Sequence, residues 1–152
     1  MAEASTTETN KEVVTRWWSE FWGELNSDIV DELAADDIRW CYPLVGEVRG
    51  CEEVKKRIIG YEERFPEGGF ELTDELIAEG DRVVALWDGG GTHTGRSWEL
   101  PIGSLPEASG EKAQYTGTTV FTVQNGKITE EHGQADYLGA MQQLGLIEPQ
   151  TD

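Results

Sequence analysis

The feature that most constrains the fold is a single change in the period of the hydrophobic pattern, which falls near Phe70. Ahead of it, apolar residues recur at helical spacing, which predicts helices. Behind it, short runs alternate between apolar and polar residues, which predicts strands. Helices followed by a long run of strands are typical of an α+β domain. The predicted helices cover about 16 residues from Thr9, then Asp28 to Ala35, and a segment that carries Val54, Ile58, Tyr61 and Phe65.

Glycine and proline mark where the predicted strands turn. Asn125-Gly126 lies between two alternating runs and predicts a tight hairpin. The run Gly89-Gly90-Gly91 predicts a bulge or bend, and residues 101–111, with two Pro and two Gly, predict a loop. A last helix is expected to start near Asp136. The predicted strands are Ile38 to Pro43, Glu71 to Ala78, Arg82 to Asp88, Thr92 to Leu100, Ala113 to Val123 and Lys127 to Gln134.

The length of 152 residues fits one domain. We expect it over residues 9–147, between a disordered tail at 1–8 and a second tail at 148–152. Thr9 and Glu12 would form a capping box at the start of the first helix. No apolar run approaches the roughly 20 residues of a membrane helix. The amino-terminal residues lack the features of a secretory signal, so a cytoplasmic location is expected.

Charge excludes several classes of partner. The chain has 30 acidic and 12 basic residues and a net charge of −18, which disfavours nucleic acid and anionic membranes. This composition fits an ordinary acidic protein, and it equally fits a halophile protein, since salt screens the self-repulsion. The sequence has no phosphate-binding glycine motif and no Cys/His cluster with zinc spacing, so we expect neither cofactor nor metal.

The Asn125-Gly126 hairpin sets a register from which the faces of the last two strands are predicted. The more apolar face should point toward the helices, and alternation assigns its members. They are Tyr115, Thr119, Phe121, Val123, Ile128, Glu130, His132, Gln134 and Asp136. Charged and polar groups on an inward face are costly unless they are paired or line a cavity. Counting from Val83 places Trp87 and His93 on one face as well, provided that the glycine run keeps the register.

Each candidate residue also has an alternative structural role. Asp136 is either a general base or the N-cap of the last helix. His132 either tunes that carboxylate or is a buried histidine bonded to Glu130 or a carbonyl. His93 is either a polar group of the pocket or a hydrogen-bonded strand residue. Glu130 is expected at the pocket, mainly as a structural partner. The aromatic residues expected to form the core and part of the pocket wall are Trp17, Trp40, Tyr42, Tyr61, Trp87, Tyr115 and Phe121.

A series of short segments runs through nearly the whole chain, from about Asn10 to Gly145. Its members are Ile77 to Val84, Gly91 to Gly95, Gly117 to Phe121, Asn125 to Ile128, Glu130, Asp136 and Gln143 to Gly145. This series resembles the SnoaL-like polyketide cyclase family of the nuclear transport factor 2-like superfamily. The resemblance implies a cone-shaped barrel, in which a strongly bent, mainly antiparallel sheet wraps around three helices, with a short C-terminal helix. It also implies a homodimer.

The resemblance further implies ring closure by intramolecular aldol condensation without a cofactor. An aspartate after the last strand, here Asp136, would be the general acid/base. Many relatives have an aromatic residue where this chain has His132, which adds a second proton carrier. The main hypothesis is therefore an enzyme that moves a proton next to a carbonyl of a small hydrophobic, polyketide-like molecule, in an aldol cyclisation or isomerisation. His132 or His93 would stabilise the enolate oxygen.

Two other functions remain open at this point. The same fold serves non-catalytic modules that bind a hydrophobic ligand or a protein partner. Epoxide hydrolases of this fold use an Asp-Arg-Asp set. Neither Arg82 nor Arg96 falls on the predicted His132 face, which makes this activity a lower-ranked alternative.

Overall fold

The computed structural model describes residues 2–148 as helices that precede and flank a curved set of strands. The helical elements are α1 (Ala2–Trp17), a π-helical turn (Trp18–Gly23), α2 (Ile29–Leu33), α3 (Cys51–Arg64) and α4 (Tyr137–Gln143). The strands are β1 (Ala34–Tyr42), β2 (Gly46–Arg49), β3 (Gly69–Leu72), β4 (Ile77–Glu79), β5 (Arg82–Thr92), β6 (Trp98–Leu100), β7 (Gly103–Leu105), β8 (Lys112–Gln124) and β9 (Lys127–Ala135).

Seven of these strands form one open sheet in the order β2-β1-β9-β8-β5-β3, with β4 also paired to β5. Every pair is antiparallel except β1 and β9, which run parallel. β6 and β7 form a separate two-stranded ladder, so the predicted loop at 101–111 contains a short strand. The α+β class with a mainly antiparallel sheet is confirmed.

The first helix differs from the prediction at both ends. α1 begins at Ala2, so Thr9 lies inside the helix instead of capping it. The segment ahead of Thr9 contains neither Gly nor Pro, and nothing in it interrupts a helical backbone. After Trp17 the helix widens into the π-helical turn, which ends at Gly23. Such turns are frequent at functional sites, and this one carries Trp22 toward β9.

The glycine run does not form the predicted bulge. β5 passes through it in unbroken register with β8. A Cβ on Gly90 would lie 2.0 Å from the carbonyl oxygen of Ala113, and one on Gly89 would lie 2.4 Å from the carbonyl oxygen of Gly69. The glycines therefore let neighbouring backbones approach closely.

The bulge lies on β9. Val123 pairs with Ile128, as the hairpin predicts, but the next pair joins Thr122 to Glu130. Thr129 is thus an extra residue on β9, and one extra residue reverses the faces of those that follow.

The inward face of β9 consequently holds Glu131 and Gly133, both buried. The prediction that Glu130, His132, Gln134 and Asp136 face inward is wrong. The stretch Glu130–His132 contains no apolar residue, so the hydrophobic pattern could not reveal the one-residue shift in register.

Tertiary packing holds the shifted register in place. The ring of Tyr42 on β1 lies over Gly133, where a Cβ would come within 2.0 Å of the ring. A side chain at this inward position is therefore excluded unless the aromatic ring moves.

The main core fills the concave side of the sheet beneath α1, the π-helical turn and α3. It includes Trp17, Phe21, Ile58 and Phe121, each at most 1% exposed. A second cluster lies under α4 and contains Phe65, Ala113 and Met141 among its members. Within residues 2–148, no helix combines the length and the apolar character needed to cross a membrane.

Candidate active site

A pocket of about 560 Å³ opens between the concave face of the sheet and α3. Its wall is largely aromatic, and its charged residues come mainly from α3 and from the segment around β6. The aromatic lining residues are Trp18, Trp22, Trp40, Tyr42, Tyr61, Phe65, Phe70, Trp87, Trp98, Tyr115 and Tyr137. Such a wall suits a flat, ring-containing ligand.

A fully buried carboxylate, Glu131, lies directly behind the floor of this pocket. Trp17 Nε1 donates a hydrogen bond to its Oε1 atom at 2.9 Å. Oε2 accepts two more, from Trp22 Nε1 at 2.7 Å and from the Tyr42 hydroxyl at 2.6 Å. Trp22 and Tyr42 line the pocket, so the carboxylate is separated from the ligand space by its own hydrogen-bond donors.

The donors form a chain that points in one direction. The indole N–H of Trp87 donates to Thr119 Oγ1 at 3.0 Å, and that hydroxyl lies 2.9 Å from the hydroxyl of Tyr42. An indole N–H can only donate. With the Tyr42 proton directed to Glu131, the Thr119 proton is directed to Tyr42. The network therefore ends in one acceptor, the carboxylate.

Burial raises the pKa of Glu131 to about 7, although the hydrogen bonds from Tyr42, Trp22 and Trp17 oppose the rise. No cation of the described chain lies within ion-pair distance of Glu131. A carboxyl group with a pKa near neutrality can both take and return a proton at physiological pH. Burial, together with the charge of Glu131, holds the pKa of Tyr42 well above its usual range.

The carboxylate keeps one position open for a proton. Its two oxygens offer about four lone pairs, and three of them accept the hydrogen bonds described above. Trp40 lies close enough to lower the pKa of Glu131, but its Nε1 is buried without a partner at hydrogen-bond distance. The open lone pair is on Oε1, whereas the proton of Tyr42 reaches Oε2 along the hydrogen bond that already joins the two groups.

Three further tyrosines, Tyr61, Tyr115 and Tyr137, line the pocket. Their hydroxyl groups make no hydrogen bond to any other described residue. Burial raises the pKa of each phenol above its usual range. They therefore stay protonated and present hydrogen-bond donors to a bound ligand.

The predicted catalytic residues lie outside this pocket. Asp136 is exposed and caps α4, where it accepts a bond from the backbone N–H of Gly139 at 2.9 Å. His132 is exposed on the outer face of β9, and Glu130 on the same face pairs with Arg39.

His93 is buried just beyond the end of β5, outside any strand, and both of its ring nitrogens are occupied. Nδ1 lies 2.8 Å from Ser109 Oγ, and Nε2 lies 2.6 Å from the carbonyl oxygen of Arg96. The ring therefore ties two loop segments together and does not line the pocket.

The predicted wall residues separate into two groups. Trp40, Tyr42, Tyr61, Trp87 and Tyr115 line the pocket. Trp17 and Phe121 are fully buried in the core behind it.

Sequence reasoning missed Glu131 and Trp22. The sequence offers one hint near Glu131, because Gly133 two residues later is a strand glycine, which often marks a bulge or a close approach. The spacing places Glu131 and Gly133 on the same face of the strand, but it does not say whether that face points inward. In the described chain, no three His, Cys, Asp or Glu residues are grouped so that they could hold a metal ion.

Comparison with known proteins assigns the fold and the family. The family model of SnoaL-like polyketide cyclases matches residues 12–144. A search among curated proteins gives no match. Among solved structures, a protein from Jannaschia sp. CCS1, assigned as a SnoaL-like polyketide cyclase, is 24% identical with a TM-score of 0.77, and the match covers 95% of both chains.

Two other solved structures are also similar. A protein from Acidithiobacillus ferrooxidans, assigned as a polyketide cyclase, is 27% identical with a TM-score of 0.72, over 90% of this chain and 94% of that one. An LEH-like epoxide hydrolase from M. tuberculosis is 19% identical with a TM-score of 0.66, over 91% and 90% of the chains.

Proposed function

Because the chain belongs to the SnoaL-like polyketide cyclase family, we propose that it is a cofactor-independent enzyme that transfers a proton at a carbon next to a carbonyl group. The substrate is a small, ring-containing, mainly apolar molecule. The observation that carries this proposal is Glu131, a buried carboxyl with a pKa of about 7 behind an aromatic pocket. A carboxylate that is removed from water and has no cation partner has a raised pKa, so it is a stronger base than a carboxylate in water.

Tyr42 connects the base to the substrate. It lines the pocket, and its hydroxyl bonds to Oε2 of Glu131 at 2.6 Å. In the proposed step, the Tyr42 oxygen takes the proton from the substrate carbon while its own proton passes to Glu131. The electron pair of the broken C–H bond moves into the substrate and generates an enolate. Return of the proton to a different atom completes an isomerisation. In a cyclisation, the enolate carbon attacks a second carbonyl, whose oxygen takes the electron pair and then the proton that returns from Glu131 through Tyr42.

The enolate oxygen needs hydrogen-bond donors that are already in place. Tyr61, Tyr115 and Tyr137 supply uncommitted hydroxyl groups in the same pocket. Preorganised donors at a developing oxyanion are worth about 10²–10³ in rate when one is removed. Since these phenols stay protonated, they support the enolate without competing for the proton.

The proposal is tested by exchange of the α-protons of 2-tetralone, a bicyclic ketone, in D₂O, followed by NMR. The wild type should accelerate exchange, and Glu131→Gln should lose about 10²–10⁴ of that rate, the usual cost of losing a general base. Tyr42→Phe should show a comparable loss. Glu130→Gln is the matched control, because it removes the neighbouring carboxylate on the outer face.

Two results would contradict the proposal. If Glu131→Gln exchanges the ketone as fast as the wild type, Glu131 is not the base, and Asp136→Asn becomes the next variant to measure. If the wild type binds 2-tetralone without exchanging it, the pocket belongs to a binding protein and not to an acid/base enzyme.

A further inference from the structure

The mouth of the pocket is positively charged, although the protein as a whole is strongly negative. Four basic side chains line the pocket, Lys56, Arg57, Arg64 and Arg96, against two acidic ones, Glu53 and Glu99. The chain has only 12 basic residues and carries a net charge of −18. A third of its cations therefore gather at one opening, which creates a local field opposite in sign to that of the rest of the surface.

Two of these arginines lack a carboxylate partner. Four of the other five arginines, Arg16, Arg39, Arg49 and Arg96, each form an ion pair. The fifth, Arg82, forms none with the described residues and is exposed to solvent. Arg57 and Arg64 form none within residues 2–148, although both are half-buried. The protein has 30 acidic residues, yet these two half-buried guanidinium groups have no carboxylate partner. Because buried charges are usually paired, the two groups indicate a site for an anion.

Arg64 is held in place by backbone carbonyls. Its Nη1 donates to Gly60 at 3.0 Å and its Nε donates to Ser97 at 3.3 Å. Nη2 makes no bond to any described residue. These contacts hold the guanidinium group in place and leave the N–H groups of Nη2 free to donate to a carboxylate.

A second guanidinium lies beside the first. An added Cβ on Gly60 would be 3.2 Å from Arg64 Nη1 and 3.7 Å from Arg96 Nη2, so both groups flank this glycine. Burial and the positive charge of Arg96 lower the pKa of Arg64. Glu63 pairs with Arg96 at 2.9 Å, and its charge only partly opposes the lowering of the Arg64 pKa. An anion bound beside Arg64 would relieve the remaining repulsion.

We propose that the pocket mouth binds a carboxylate carried by a flat, ring-containing ligand, with Arg64 as the principal contact and Arg57 and Arg96 beside it. The ring system is accommodated by the aromatic wall, where Tyr61 and Phe65 stack at 4.9 Å and Trp98 meets Phe65 edge-on at 5.6 Å. A single negative charge suits this site better than a multiply charged group, because the protein repels anions at long range.

The site would also orient the ligand. A negative group at the floor would lie close to Glu131 and Tyr42, where charge repulsion and burial oppose it. The carboxylate therefore stays at the mouth, and the opposite end of the ligand reaches Tyr42. The inference rests on the proposed function in one respect only, that this pocket is where the ligand binds.

The test compares 2-naphthoate with 2-naphthamide, two probes of equal shape that differ in charge, by isothermal titration calorimetry on the full chain. The wild type should bind the naphthoate at least about tenfold more tightly at low ionic strength, since hydrogen bonds to charged groups are the stronger ones. Arg64→Gln should abolish that preference and leave the affinity for naphthamide unchanged, which also shows that the variant is folded. Arg82→Gln, exposed and outside the pocket, is the control for net charge.

Salt supplies a second readout. At about 1 M NaCl, where the Debye length is roughly 3 Å, naphthoate binding should weaken and naphthamide binding should not. Equal affinities for the two probes, failure of naphthoate to bind, or an equal loss in Arg82→Gln would overturn the anion site. None of these results affects exchange of the uncharged 2-tetralone. Conversely, a protein that prefers naphthoate but exchanges no ketone would keep the anion site and lose the acid/base proposal.

Discussion

The two faces of β9 give neighbouring carboxylates opposite surroundings. Glu130 is on the outer face, where its side chain is 33% exposed and pairs with Arg39. Glu131 is on the inner face, fully buried, with three uncharged donors and no cation. One residue of register therefore separates a solvated surface group from a carboxyl with a pKa of about 7.

The difference shows that an ionisable side chain gains unusual acid/base chemistry from its position and not from its residue type. The outer face supplies water and an ion pair, which keep a carboxylate charged. On the inner face the carboxylate is shielded from water and contacts only uncharged hydrogen-bond donors, which stabilise its negative charge incompletely. Of the four experiments that follow, three compare the two faces in matched pairs of variants, and the fourth examines the helix cap at Asp136.

The largest stability effect is expected from pH. The folded pKa of Glu131, about 7, lies above the ordinary value of a glutamate, 4.5, so between these values the folded state holds a proton that the unfolded state has lost. Stability from this group is thus present at low pH and is lost as pH rises through about 7. Between pH 5 and pH 8 the loss should be roughly 2–3 kcal/mol.

Urea denaturation of the wild type, Glu131→Gln and Glu130→Gln at both pH values measures this effect. The difference in unfolding free energy between the wild type and Glu131→Gln should change by that amount, while Glu130→Gln should follow the wild type. A pH-independent difference for Glu131→Gln would show that Glu131 titrates normally.

The next effect concerns the small inward residue beside Glu131. Gly133→Ala would place a Cβ 2.0 Å from the Tyr42 ring, and such overpacking typically costs about 1–3 kcal/mol. Exchange activity should fall as well, because the ring carries the hydroxyl that bonds to Glu131. His132→Ala, on the exposed outer face, should change the melting temperature little. Equal melting temperatures for the two variants would contradict the assignment of faces.

A matched pair of threonines on β8 probes the hydrogen-bond chain. Thr119→Val removes the hydroxyl between Trp87 and Tyr42 and leaves a buried indole N–H unpaired, at a cost of about 1–2 kcal/mol. Thr122→Val makes the same change on the outer face and should be nearly neutral in thermal melting. If Thr119→Val also leaves the melting temperature unchanged, the hydrogen bonds among Trp87, Thr119 and Tyr42 contribute nothing to stability.

The smallest effect is expected at Asp136. Asn caps a helix about as well as Asp, so Asp136→Asn should alter stability and exchange very little, whereas Asp136→Ala should lose about 1 kcal/mol with its cap. Thermal melting and 2-tetralone exchange of both variants check this. A large loss of exchange in a stable Asp136→Asn would instead assign the base to Asp136.

The sequence by itself determined the class of fold and the approximate positions of most helices and strands. Helical spacing ahead of Phe70 and alternation behind it predicted α+β, and Asn125-Gly126 located the hairpin between β8 and β9. These features are local, because each depends on the preferences of residues a few positions apart. The resemblance to the SnoaL-like family depended on the same segments, and the family match over residues 12–144 confirms it.

The tertiary structure alone decided which carboxylate faces the pocket. Thr129 bulges out of β9, and the polar stretch Glu130–His132 has no apolar alternation that would reveal the shift. The register is selected by contacts between distant segments: the Tyr42 ring over Gly133, and the indoles of Trp17 and Trp22 on Glu131. Such contacts join residues about 90 to 115 positions apart. Local propensity has no information about them, because burial and hydrogen bonding exist only once the chain has closed around the site.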